Sequence, residues 1–245
     1  MVDRQERTAI VTGAGKRVGA EIARALLDDG WKVVAHVRHE TDDPPSGTIK
    51  AVADLTDVDC ADTIFAAATG LPPVRLLINN AARFAWDDLH EFDAAQFDAH
   101  MAVNVRAPAL LTKRFAHEHS GGDALIVNLL DSKLAGPNPD YLSYTLSKHA
   151  LAAFTDLAAR ALAARGIRVN GIAPGLMLRS SGQSDENFRA MHAANPLGRG
   201  VETGDVVGAL RYLGDARCVT GQVLVIDSGQ RFLALDRDVQ FLGSV

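Results

Sequence analysis

Cysteine is scarce: the chain of 245 residues has two, Cys60 and Cys218. They lie far apart and outside any Cys-x-x-Cys spacing, which points to buried thiols in a reducing compartment rather than a stapled scaffold. Nowhere does the chain approach the ~18 uncharged apolar residues of a membrane span. Its first residues, Met-Val-Asp-Arg-Gln-Glu-Arg, lack an apolar signal core, so a cytoplasmic protein is expected. The net charge of −5 gives no reason to expect nucleic acid as a partner. His90, His100, His117 and His119 show no ligand spacing with cysteines or acids, so no metal is expected. Repeats, low-complexity segments and linkers are absent too, leaving one domain over residues 1–245. A chain of this size buries about 70–75% of its unfolded surface, enough for a large core.

What is present is an alternation of strand-like and helix-like stretches. Strands are expected at Arg7–Thr12, Trp31–Val37, Ile49–Leu55, Val74–Asn79, Ala124–Leu130, Ile167–Ile172 and Gln222–Ile226. Helices are expected from Val18 to Asp28, near Asp57–Ala68, over Ala94–His119, from Tyr144 to about Arg165 and over Val201–Leu213. The strands read as near-continuous apolar runs, which implies a sheet covered on both faces. Repeated β–α–β connections then give an α/β fold: a single-domain, Rossmann-type, doubly wound parallel sheet with right-handed crossovers. Ligands bind such sheets beyond the carboxyl ends of the strands. That rule gathers Thr12–Gly19, His36–His39, Asp54, Asn79–Phe84, Asp131 and Pro174-Gly175 on one edge.

Thr12-Gly-Ala-Gly-Lys-Arg-Val-Gly19 joins the first strand to the first helix. Its glycines, Gly13, Gly15 and Gly19, permit a sharp turn and close approach of a pyrophosphate, which a helix N-terminus attracts through free N–H groups and its dipole. An acid at the end of the second strand would bind a ribose 2′-hydroxyl and repel a 2′-phosphate. Here the strand ends Ala35-His-Val-Arg-His39, with Glu40 one step late and Arg17 adding a second cation. Arg38, with His36 or His39, can hold a 2′-phosphate by charge-assisted hydrogen bonds, so NADPH/NADP+ is the expected cofactor. The other reading makes these solvated surface charges.

Tyr144 and Lys148 form Tyr-x-x-x-Lys at the start of a helical stretch. Residues four apart share a helix face, so the ammonium is expected to favour the phenolate and lower the tyrosine pKa. Asp131 stands thirteen residues before the tyrosine. Its carboxylate would repel a carbonyl oxygen but suits N–H donors or a ring nitrogen awaiting a proton. It should also push the Tyr144 pKa upward, making the site a coupled group. Two other readings remain: Asp131 caps the strand end, or Ser132 faces the site instead.

Together these features resemble the short-chain dehydrogenase/reductase family over nearly the whole chain. The matching pieces are the Thr12–Gly19 turn, Asp54-Leu55, Asn79-Asn-Ala81, Asn104, Tyr144-x-x-x-Lys148 and Pro174-Gly175. The resemblance implies hydride transfer between NAD(P)H and a small substrate. By it Tyr144 is the proton donor, Lys148 binds the nicotinamide ribose, and Asn104 holds a water that relays protons. Asp54 and Leu55 would contact the adenine, and Val18, Asn80, Ala81, Pro174 and Gly175 would line the cofactor. Arg17 and Asp131 replace the family's usual glycine and serine. Both substitutions resemble the pteridine reductase branch, including dihydromonapterin reductases. There the arginine reaches cofactor phosphates and the pterin, and the aspartate assists protonation. An aromatic residue stacking on the pterin matches Phe84, while a nearby serine of that branch matches Ala82.

Residues 176–200 form a polar stretch without strong periodicity, expected to be a substrate-binding loop with Leu176 and Met177 on the pocket wall. Tyr141 can line the pocket or merely pack. The last strand carries Asp227-Ser-Gly229 where the family usually has Asp-Gly-Gly, and an apolar tail with Phe232, Leu233, Leu235, Phe241 and Leu242 should pack on its own chain or on a partner. Family members are commonly tetramers, so a homotetramer is expected. The implied function is NADPH-dependent reduction of a pterin-like C=N substrate. The alternatives are reduction of a ketone or other small carbonyl compound, and a non-catalytic nucleotide-binding sensor.

Overall fold

A computed structural model describes residues 7–180 and 182–242. Seven parallel strands form one sheet in the order β3-β2-β1-β4-β5-β6-β7. They are β1 Thr8–Val11, β2 Lys32–Val37, β3 Ile49–Val52, β4 Val74–Asn79, β5 Ala124–Leu129, β6 Ile167–Pro174 and β7 Val223–Ile226. The order runs outward from β1 in one direction and then from β4 in the other. The crevice at that reversal is where a doubly wound sheet takes its ligand.

Successive strand residues point to opposite faces, and both faces are covered. Ile10, Val34, Leu77, Ile126 and Val169 pack on one side against α2 (Cys60–Ala66), α4 (Ala107–Glu118) and α5 (Leu142–Leu162), through Ile64, Phe65, Leu111, Phe115 and Ala158. Ala9, Val11, Val33, Leu76, Ile78 and Val127 pack on the other against Ile22 and Leu26 of α1 (Arg17–Asp28) and Val206, Leu210 and Leu213 of α7 (Thr203–Asp215).

The structure departs from the sequence expectation at three places. The long helix expected over Ala94–His119 is α3 (Ala94–Met101) and α4, joined by one wider π-turn at Ala102–Arg106. Pro108 in the first turn of α4 has no N–H for the carbonyl four residues back, that of Asn104, which fits a wider turn at this point. The 176–200 segment is not all loop: it contains α6, Asp185–Ala193. This helix announces itself by a cap rather than a stripe, with Ser184 accepting from the Asn187 N–H at 3.1 Å and Asp185 and Glu186 in the first turn. Met191 is its one buried residue, so there is no apolar period to read. Cys218 is exposed in the turn after α7, correcting the expectation of two buried thiols; Cys60 is buried. The apolar tail packs on its own chain as two short 3-10 turns, Gln230–Leu233 and Val239–Phe241.

Candidate active site

One cavity of about 780 Å³ runs along the carboxyl ends of the strands. Its cofactor end begins where β1 stops. Gly13 has φ +67, and a Cβ on Gly19 would lie 2.1 Å from the Gly13 oxygen, so the turn closes only without side chains at these points. Asn80 pins it from β4, donating from Nδ2 to the Thr12 oxygen at 2.8 Å. Lys16 caps α1 without a side-chain bond, and no acid sits in the first turn. The N–H groups and positive dipole of α1 are thus left for an anion, a fit to the pyrophosphate of a dinucleotide.

His36 lines this end but does not offer a cation. Its Nδ1 accepts from the Gly13 N–H at 3.1 Å, which leaves the proton on Nε2, 3.0 Å from the Ala53 oxygen. Burial lowers its pKa, so the neutral ring acts as a clip from β2 to the glycine turn and the end of β3. The expected phosphate contact from His36 is therefore corrected. Arg38 and His39 remain exposed on the wall. Arg38 Nε donates to Asp54 Oδ2 at 3.0 Å, and the His39 N–H is held by Asp42. Leu55 and Ala81 also line the wall, joined by Lys16 and Asp42, which sequence reasoning passed over.

The substrate end is set by the start of α5. Tyr141 enters the helix with φ 58 and no cap of its own, and the buried Asp87 carboxylate supplies one, accepting from the Ser143 N–H at 3.0 Å. One turn in, the Tyr144 hydroxyl donates to Asp131 Oδ2 at 2.8 Å, while Asp131 Oδ1 accepts from the Lys133 N–H at 2.9 Å. Asp131 thus both caps the short turn Ser132–Leu134 and engages the tyrosine. Lys148 Nζ donates to the Leu129 oxygen at 2.6 Å and lies 5.6 Å from the Tyr144 ring centre. Burial and then the Asp131 charge hold Tyr144 well above its usual pKa. The expected lowering by Lys148 is overturned here, because burial and then the Asp131 carboxylate both disfavour the phenolate. Burial also raises Asp131 and lowers Lys148 to about 8.

Asn104 is off the wall. Its Oδ1 accepts from the Arg83 N–H at 2.7 Å, and Nδ2 donates to the Arg83 oxygen at 3.0 Å and Ser147 Oγ at 2.9 Å. The amide ties the loop after β4 to α5. Phe84, in that loop, stacks on Tyr141 at 4.2 Å and meets Tyr144 edge-on at 4.7 Å. Tyr141 packs rather than lines. Pro174, Gly175, Leu176 and Met177 form the facing wall, with the Leu176 N–H donating to Gln230 Oε1 at 2.6 Å.

A family model described as enoyl-(acyl carrier protein) reductase matches residues 13–231. The crystal structure of FolM alternative dihydrofolate reductase 1 from Brucella suis, in complex with NADP, is similar at TM-score 0.88 and 34% identity, covering 97% of this chain and 99% of that one. Pteridine reductase 1 of Leishmania tarentolae is 31% identical over 220 residues, 69% of this chain and 75% of its own. Galactitol 2-dehydrogenase (L-tagatose-forming) of Cereibacter sphaeroides is 31% identical over 239 residues, 90% of this chain and 93% of its own. The chain belongs to the short-chain dehydrogenase/reductase family. It is an NADP-dependent oxidoreductase of that family, and no helix among its described residues is long and apolar enough to cross a membrane.

Backbone geometry makes two of its departures from the usual short-chain dehydrogenase/reductase pattern costly. Arg17 has φ +54 and Ser228 φ +51, left-handed positions where the usual glycine sits without strain. A side chain there costs about 1–2 kcal/mol. Arg17 keeps that strain on the cavity wall, with its guanidinium 3.3 Å from the Arg179 oxygen. The residues sequence reasoning missed at the substrate end are Lys133, Arg231 and Asp238. Lys133 and Asp238 pair at 2.9 Å across more than a hundred residues, which no local motif marks, whereas Arg231 pairs with Asp227 four residues before it.

Proposed function

We propose that this enzyme reduces a pterin-like C=N substrate of the dihydropteridine, dihydromonapterin or dihydrofolate class. The observation that carries the reading is the Tyr144–Asp131 hydrogen bond at 2.8 Å. A carboxylate at this point repels the lone pairs of a carbonyl oxygen and welcomes a flat aminated ring that presents N–H groups. Bound NADPH supplies the hydride. Tyr144 holds a proton at its hydroxyl, and the raised Asp131 stands behind it as the group that replaces or delivers that proton to the ring nitrogen. Lys148 would hold the nicotinamide ribose, and the Gly13–Gly19 turn the pyrophosphate. Arg38 and His39 would take the 2′-phosphate, and Asp54 and Leu55 the adenine. Arg17, Phe84, Leu176 and Met177 would frame the substrate ring, with Asn104 acting through the loop that carries Phe84. Two relatives named for dihydrofolate and pteridine reduction support this reading, whereas the galactitol dehydrogenase supports carbonyl chemistry. We further propose a cytoplasmic homotetramer, a reading supported by the exposed Leu146 and Leu157 of α5 as a subunit contact.

The test is NADPH oxidation by the purified protein against dihydropterins, dihydrofolate and simple ketones, repeated with Asp131→Ser. Pterin turnover that falls at least about tenfold in the variant is the expected result. Its alkaline limb should also move to lower pH, because the Asp131 charge props up the Lys148 pKa of about 8. Ketone turnover alone, tolerated or improved by the serine, sinks the pterin assignment and leaves the family and cofactor standing.

A further inference from the structure

The wall of the cavity opposite the glycine turn includes the C-terminal segment, with Arg231, Ala234, Leu235, Asp238 and Val239 on its surface. Apolar packing holds this segment only in part: Val239 is buried and Phe241 meets the rings of Trp86 and Tyr141, but Phe232 and Leu233 are left in solvent. Polar contacts supply the rest, and they converge on Asp140 in the loop before α5. The Asp140 side chain is 2% exposed and takes a two-pronged fork from Arg237, Nε at 2.7 Å and Nη2 at 2.8 Å. The same carboxylate accepts from the Asp238 N–H at 2.8 Å and from Trp86 Nε1 at 3.3 Å. These donors hold it well below the usual carboxylate range, at about 2, so it stays charged at any working pH.

A second junction lies beside the first. Lys133 Nζ donates to the Asp140 backbone oxygen at 2.9 Å and pairs with Asp238 at 2.9 Å. The Tyr141 hydroxyl donates to Gln240 Oε1 at 2.5 Å. Lys133 and Tyr141 flank the stretch that leads from Asp131 into α5, so the segment is bolted to the piece of chain that carries the proton-handling groups. A buried carboxylate is costly unless its partners are all in place. Here all the partners but Trp86 come from the tail, so tail and carboxylate are ordered together.

We propose that residues 230–242 are a specificity wall of the substrate site, and that Asp140 is the positioning residue that holds them there through its fork to Arg237. The inference rests on the reductase reading of Tyr144 and Asp131 and is indifferent to whether the substrate is a pterin or a ketone. A substrate that needs the wall closed has its apparent affinity divided by the closed fraction, whereas the cofactor end, built on other elements, does not feel it.

The experiment uses the full chain saturated with NADPH, as wild type, Asp140→Asn, Arg237→Gln and the double variant. Three quantities are measured: KM and kcat on the best substrate of the panel, the NADPH Kd, and hydrogen exchange across 230–242. Each single variant should raise KM about tenfold, the worth of a charge-assisted hydrogen bond, with little further rise in the double. kcat and the NADPH Kd should stay within about threefold, and exchange in the segment should quicken. Arg237, half exposed, keeps the test open if the Asp140 variant fails to fold. Unchanged KM in Arg237→Gln, with or without faster exchange, overturns the proposal while leaving the reductase reading intact. Absence of any turnover by the wild-type enzyme sinks the reductase reading, and this one with it.

Discussion

At the cofactor end of the cavity the groups left for a ligand are backbone N–H groups of the Gly13–Gly19 turn, framed by exposed charges such as Arg38. At the substrate end they are side chains, Tyr144, Asp131 and Phe84, kept in place by buried polar pairs such as Asp140 with Arg237. The backbone donors of the first end come from one consecutive stretch of chain. The second joins residues 97 positions apart. Backbone recognition is insensitive to most surface substitutions and intolerant of a single added Cβ. Side-chain recognition gives way when one partner of a pair is lost. The two ends should therefore fail differently.

The largest effect expected is at the substrate end. Tyr144→Phe should lower kcat by roughly a thousandfold, the range of a lost general acid, while changing NADPH affinity far less in a fluorescence titration. An equal collapse of cofactor binding would break the separation of the two ends. Gly19→Ala places a Cβ 2.1 Å from the Gly13 oxygen. It should weaken NADPH binding about a hundredfold and destabilise the fold by about 2 kcal/mol. Gly208→Ala in α7, where an added Cβ meets nothing within 4 Å, sharpens the contrast. It should stabilise by about 0.5 kcal/mol in chemical denaturation and leave binding alone.

Arg38→Ala should cut the preference for NADPH over NADH about tenfold, read as a ratio of kcat/KM values. An unchanged ratio would mean that the cations at the end of β2 are solvated charges and nothing more. The smallest effect is on stability. Burial lowers the pKa of His36, His100 and His119 below 6.5, so the unfolded chain takes up protons that the folded one refuses. Stability from these groups is complete above pH 6.5 and falls as the pH drops below it. Chemical unfolding at pH 7 and pH 5.5 should show that fall, and His36→Gln should flatten it. A flat wild-type profile would contradict the neutral clip assigned to His36.

Local signals were legible where a run of chain makes its own structure. The glycine turn, the apolar strands and Tyr144-x-x-x-Lys148 carry their geometry in adjacent residues. His36 was misread because a strand-end histidine beside Arg38 looks like a cation until its burial against Gly13 and Ala53 is known. The amide of Asn104 bonds Arg83 and Ser147, partners that no local spacing announces. α6 escaped because it is announced by Ser184 at its cap and not by apolar spacing. The tail was expected to pack through its apolar side chains; Val239 and Phe241 do so, and polar pairs from distant residues add to them.

The amino-acid sequence by itself determined the doubly wound sheet, the edge where ligands gather, the dinucleotide turn and the pair Tyr144–Lys148. Each of these follows from periodicity or from residues within one turn of each other. Tertiary structure alone decided the protonation state of His36, the raised Tyr144 and lowered Lys148, and the attachment of the C-terminal segment through Asp140. Those depend on burial and on charges brought together from distant parts of the chain, and desolvation is a property of the folded surroundings and not of any residue type.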